Sequence, residues 1–140
     1  MDPTIIQQLH SIVGPEGVLT TPQALLCYSY DATIHQGRPE AVVLPTSTQQ
    51  VSAIMRLATE HRIPVTPRGA GTGLSGGSLP KGGIALVLTR MNRILEIDTA
   101  NLLAVVEPGV VTGVLQAEVE KAGLFYPPDP SSGRVSTIGG

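Results

Sequence analysis

The chain has 140 residues, of which 41% are hydrophobic, 14% charged and 3% aromatic, with a formal net charge of -2. That length supports one buried core rather than two, and the low charge with abundant aliphatics excludes an extended disordered chain. Mild acidity and scarce aromatics exclude a nucleic-acid partner, which needs a basic footprint or stacking platforms. The single cysteine, Cys27, permits no internal disulfide and suits a reducing, cytoplasmic setting. MDPTIIQQLH has neither the basic start nor the unbroken apolar run of a secretory signal. The longest aliphatic runs, IALVL and LLAVV, are strand-sized, so no transmembrane segment is expected.

Asp2 as an N-cap and Pro3 at the first helical position open a helix carrying Ile5, Ile6, Leu9, Ile12 and Val13, ended by Gly14. A polar connector follows through Thr20, Thr21 and Pro22, and residues 27–31 read either as a helix end or as a turn. The apolar run 41–44, closed by Pro45, reads as a buried strand. Val51, Ile54, Met55 and Ala58 recur at helical spacing and predict a helix within 46–62. Its start carries a capping box, from Thr46 and Gln49 or from Ser47 and Gln50. A second buried strand at 63–66 completes a strand–helix–strand unit, which implies a right-handed parallel crossover. Another strand is predicted over 84–89. Residues 94–97 and 102–106 flank Asp98-Thr99-Ala100-Asn101 as the arms of a hairpin. Thr112 is expected to cap a helix carrying Val114, Leu115, Val119 and Ala122, closed by Gly123. Parallel and antiparallel signals coexist, so the expected class is α+β.

The 16 glycines and 12 prolines are not spread evenly. Gly71-Thr72-Gly73-Leu74-Ser75-Gly76 fits G-x-G-x-x-G, and Glu96 stands 20 residues beyond Gly76, as in a Rossmann fingerprint. The context refuses that reading, because the motif must open a helix and here Gly77, Pro80, Gly82 and Gly83 follow. No Gly-Lys-Ser/Thr closes the run, so a Walker loop is excluded as well. Gly69, Gly71, Gly73, Gly76 and Gly77 allow positive φ and close backbone approach. Consecutive N–H groups in such a turn form a nest for an anion, typically phosphate. Thr72 and Ser75 would add hydroxyl donors, and Arg68 a cation at the entry. The alternative is a tight strand connector, which so many glycines directly after a buried strand disfavour. The later stretch YPPDPSS reads by itself as a stiff polar turn. His10, His35 and His61 form no cluster, so no metal site is expected.

The run from Pro67 to Gly77, PRGAGTGLSGG, resembles the first FAD-binding loop of the vanillyl-alcohol-oxidase/p-cresol-methylhydroxylase (PCMH-type) flavoproteins. Within that superfamily it is most similar to glycolate oxidase FAD subunits (GlcD-like) and related D-lactate dehydrogenases. VVLPTSTQQV, IPVTPR, ILEID…VVEPGV and YPPDPSS…STIGG agree in order and spacing, from about Arg38 onward. The resemblance implies a PCMH-type FAD-binding domain over 38–140, preceded by a helix and connector over 1–37. An α/β lobe and the start of an antiparallel lobe would clasp FAD between them. The pyrophosphate would lie against Pro67, Arg68, Gly69, Ala70, Gly71, Thr72, Gly73, Leu74, Ser75 and Gly76. The ribityl chain and ring would run along Pro128, Asp129, Ser131, Ser132, Thr137, Gly139 and Gly140. Some members link the flavin covalently to a loop His; Thr72 stands at that position, which implies non-covalent FAD.

The same resemblance implies oxidation of a small 2-hydroxy acid of the glycolate or D-lactate type, by hydride transfer to flavin. Further oxidase subunits, a second flavin-type and an iron–sulfur one, are the implied partners. The alternatives are a catalytically silent FAD- or phosphate-binding fragment and a sugar-nucleotide reductase of the same fold. Family members continue past the position of Gly140 into more FAD-binding chain and a substrate domain that holds the catalytic groups. The domain is therefore expected to be incomplete at its C-terminus and inactive alone, and no catalytic residue is assigned.

Overall fold

The computed structural model describes residues 1–140. Its centre is a sheet of the short strands β1 (Val18–Leu19), β2 (Ala41–Val43), β3 (Val65–Arg68) and β4 (Ile84–Val87), in the order β1-β2-β4-β3. β2, β4 and β3 run parallel, and β1 pairs antiparallel with β2. β2 and β4 are buried along their whole length. That is the expected environment of parallel strands covered on both faces.

Alternation along the central strands divides the core in two. Val43, Ile84 and Leu86 point toward helices α1 (Pro3–Val13) and α3 (Thr48–Glu60), meeting Ile5, Leu9, Ile54 and Leu57. Val42, Leu44, Ala85 and Val87 point the other way, toward Leu19, Tyr28 and Leu25 of the short helix α2 (Pro22–Cys27). The open reading of residues 27–31 is thus resolved: the helix ends at Cys27 and a turn follows. The N-terminal 37 residues supply one strand, two helices and part of both core faces.

Local signals explain most helix boundaries. Asp2 accepts a hydrogen bond from the Thr4 amide at the start of α1, and Gly14 ends it at φ 81°. Ser47 caps α3 by accepting from the Gln50 amide, while the Gln50 side chain reaches back one residue further, to the Thr46 amide at 2.7 Å. Two expectations need correction. The strand predicted at 63–66 is shifted to Val65–Arg68, because Arg62 at φ 53° and an Ile63 amide bonded to Ala58 finish the helix first. It also lies at the sheet edge, half-buried, and the edge is where Pro67 is tolerated.

Beyond the sheet, β5 (Ile94–Asp98) and β6 (Leu103–Val106) form an antiparallel hairpin, with a register shift between Ile94 and Glu96. Asp98 accepts from the Ala100 and Asn101 amides and the Asn101 side chain, which fixes the turn. Helix α4 (Thr112–Lys121) packs against the hairpin through Leu115 and Val119, with Val110 beneath them. The chain therefore builds a second small core as well as the sheet's, against the expectation of one. Its accessible surface, 8306 Å², exceeds the roughly 7,000 Å² of a compact chain of this mass. Thr112 does not cap α4: Val111 occupies that position, and the Thr112 hydroxyl instead meets the Ser136 carbonyl and hydroxyl. That bond ties the start of α4 to the C-terminal turn.

Candidate functional site

Strand β3 ends at Arg68, and the glycine-rich loop leaves the sheet there. A cleft of about 440 Å³ opens between this loop and the C-terminal turn, with only one hydrophobic residue among its lining. Pro67, Arg68, Gly69, Ala70, Gly71, Thr72, Gly73 and Ser75 form one wall. Thr137, Gly139 and Gly140 meet them from the other side. The structure thus brings together two sequence segments about 60–70 residues apart, read off the numbering.

Glycine is required where backbones touch. A Cβ on Gly69 would clash with Thr137 Oγ1 and stand 2.7 Å from Gly140 Cα. Gly71 sits at φ 73°, and its Cβ would overlap the Arg68 guanidinium. Gly73 behaves differently: its φ is not left-handed, and a Cβ there would meet nothing within 4 Å. Of the loop glycines, Gly71 and Gly76 take positive φ, Gly69 serves close backbone approach, and Gly73 and Gly77 show neither.

Arg68 stands where the loop leaves β3. It is buried, at 6% exposure, beneath Gly71. Its Nη1 has no hydrogen-bond partner, and none of the chain's three ion pairs includes it. The Tyr28 ring centroid lies 5.9 Å from Cζ, within range of a cation–π contact. Burial pushes the guanidinium below its ordinary value, and the nearby Asp31 carboxylate opposes that shift. A buried cation without a paired carboxylate is costly unless an anion joins it. Thr137 Oγ1, also buried and also without a partner, faces the same cleft. Only one further buried side-chain polar atom lacks a partner, His10 Nδ1, and His10 is not in this lining.

Other residues singled out in the sequence stand elsewhere. Leu74, 78% exposed, and Gly76 are outside the lining. Pro128, Asp129 and Ser131 are exposed and Ser132 half-buried, all four outside the cleft. The Pro128 carbonyl accepts from Gln116 Nε2 and so anchors that stretch to α4. Sequence reasoning missed Asp31, Ser78 and Ser136, which do line the cleft. Ser78 and Ser136 adjoin segments already marked, whereas nothing in the local pattern around Asp31 signals its position. No group of His, Cys, Asp and Glu is arranged to hold a metal ion, and no helix is long and apolar enough to cross a membrane.

Residues 39–140 match the FAD binding domain family, and the chain belongs to it. It is 50% identical over 136 residues to glycolate oxidase subunit GlcD of Bacillus subtilis (strain 168), covering 96% of this chain and 29% of that one. It is 40% identical over 141 residues to D-lactate dehydrogenase of Anaerostipes hadrus, covering 99% and 29%. Among solved structures, alkyldihydroxyacetonephosphate synthase matches 99% of the chain and 28% of its own length with a TM-score of 0.88 at 21% identity, a likeness of fold. Substrate-bound p-cresol methylhydroxylase matches 86% and 25%, with a TM-score of 0.75 at 27% identity. The α+β class and the PCMH-type architecture are therefore those of this chain. The chain spans less than a third of the length of these curated relatives.

The cleft's donors fit FAD. A diphosphate needs backbone N–H groups, hydroxyl donors and a positive charge in one concavity. The unpaired Arg68 Nη1, the unpartnered Thr137 hydroxyl and the glycine wall, where a Cβ would intrude, answer that need.

Proposed function

We propose that these 140 residues hold the diphosphate end of FAD in a flavin-dependent oxidoreductase acting on a small 2-hydroxy acid of the glycolate or D-lactate type. One observation carries the reading: a buried, unpaired Arg68 and an orphaned Thr137 hydroxyl face one glycine-walled cleft. The relatives' names, a glycolate oxidase subunit and a D-lactate dehydrogenase, supply the substrate class. Bound in the cleft, FAD would supply a two-electron acceptor, and the protein's part is to bind and orient it.

On this reading Arg68 supplies charge from beneath the loop, while Gly69 and Gly71 let the backbone come close. Thr72, Ser75 and Thr137 offer hydroxyls at the cleft wall. Leu74, Gly76 and the segment from Pro128 to Ser132 are kept in the proposal as further FAD contacts outside the cleft. The flavin is held non-covalently, since Thr72 offers no imidazole for a linkage. Work with further subunits is part of the proposal, supported by the word subunit in the name of the Bacillus subtilis relative. The test is a visible spectrum of the purified full-length protein with FAD, under anaerobic addition of glycolate or D-lactate. Flavin binding followed by bleaching supports the proposal. Flavin bound but never bleached by either acid leaves a silent FAD-binding protein and refutes the enzymatic part.

A further inference from the structure

The family match begins at residue 39, yet the one side-chain carboxylate that lines the cleft with Arg68 comes from before it. Asp31 lines the cleft and is 9% exposed. Its Oδ1 accepts from the Thr33 amide at 2.7 Å, which fixes the carboxylate in an Asx turn. Its Oδ2 meets Ser78 Oγ at 3.5 Å, on the far side of the glycine loop. Tyr28, three residues earlier, stacks over Arg68 at the near side. The Arg38 amide donates to the Pro80 carbonyl, and the Gly82 amide to the Arg38 carbonyl, so the same strap continues along the loop's exit. One short segment therefore grips the glycine loop at both ends.

The consequence lies in where Arg68 would go without it. A long cationic side chain escapes burial by extending to water whenever its packing allows. Here the guanidinium fills the space directly under Gly71, so its departure would remove the support of the Gly71 turn. We propose, building on the diphosphate reading above, that Asp31 is a positioning residue: its fixed carboxylate keeps Arg68 under the glycine loop, so the anion nest is formed before the ligand arrives. Preorganisation of this kind raises affinity by sparing the ligand the cost of ordering the loop.

The sign of one substitution separates this from a plain field effect. Asp31→Asn keeps the shape and removes a negative charge beside an anion site. A through-space effect alone would tighten binding of a diphosphate. Positioning predicts the reverse. ADP binding by calorimetry to the purified protein is the readout, with Asp31→Asn, Arg68→Met and the double variant. The expected result is a loss of about tenfold for Asp31→Asn, and no further loss when it is added to Arg68→Met, because the effect travels through Arg68. Asp31→Glu, which keeps the charge, is expected to stay within about threefold of wild type, under 1 kcal/mol. Unchanged or tighter ADP binding by Asp31→Asn overturns the proposal. So does an additive loss in the double variant, or a loss for Asp31→Glu as large as that for Arg68→Met. Wild-type protein that binds neither ADP nor FAD overturns the diphosphate reading itself, and this proposal with it.

Discussion

Gly69 and Thr137 meet in the cleft with no room between them for a methyl group, since a Cβ on Gly69 would clash with Thr137 Oγ1 and crowd Gly140 Cα. This contact joins the end of an edge strand in the sheet to a turn that is itself held by Thr112 at the start of α4. The cleft is therefore a product of tertiary packing between the two small cores, and its integrity can be tested at that single point.

Gly69→Ala is expected to destabilise the protein by about 1–3 kcal/mol through overpacking and to weaken FAD binding. Thermal unfolding and a flavin fluorescence titration measure the two effects. A variant with wild-type midpoint and wild-type affinity contradicts the close contact.

Gly71 and Gly73 should part company. Gly71→Ala imposes a side chain at φ 73° and against Arg68, a strain of about 1–2 kcal/mol before the clash is counted. Gly73→Ala meets open space and should change stability by no more than about 0.5 kcal/mol. Parallel thermal melts of the two variants check this, and equal destabilisation would mean that the loop is shaped otherwise.

Leu9 of α1 is fully buried against the sheet. Leu9→Ala should cost about 2–5 kcal/mol, measurable as a lowered denaturant midpoint of the whole protein. A near-silent substitution would make residues 1–37 an appendage rather than part of the fold.

Glu107, nearly buried, accepts from the Arg93 amide and guanidinium at 2.8 and 2.7 Å. These bonds hold its carboxyl below the usual glutamate range. A depressed carboxylate stabilises the fold above that range, and the contribution is lost as pH falls through the folded-state value. The difference in melting temperature between wild type and Glu107→Gln should accordingly be largest near neutrality and shrink on acidification. A gap that stays constant from neutral to acid pH would show that the ion pair is not its source.

Acid precipitation of the flavin-loaded protein should release the yellow chromophore into the supernatant, because Thr72 provides no covalent anchor. Colour retained in the pellet would reveal a linkage made by another residue.

Much of the fold was legible because the local signals are strong and agree with tertiary packing. Asp2, Pro3 and Gly14 bracket α1, and Ser47 with Gln50 opens α3. The glycine loop and the terminal Thr137 to Gly140 segment were legible as separate pieces. Their convergence was not, because a contact such as Gly69 with Thr137 leaves no local trace beyond a residue without a side chain. The burial of Arg68 was not legible either, because its neighbour Tyr28 lies 40 residues earlier in the numbering. Thr112 read as a helix cap on propensity, but its hydroxyl was taken by Ser136, a longer-range partner. Asp31 offered no periodicity, spacing or motif at all.

The central claim is that this cleft receives the diphosphate of FAD. Its most direct test is an equilibrium titration of the purified protein with FAD, read by flavin fluorescence and followed by addition of ADP. The account predicts saturable FAD binding that ADP displaces competitively and that Arg68→Met weakens. FAD binding insensitive to both ADP and Arg68→Met would contradict it.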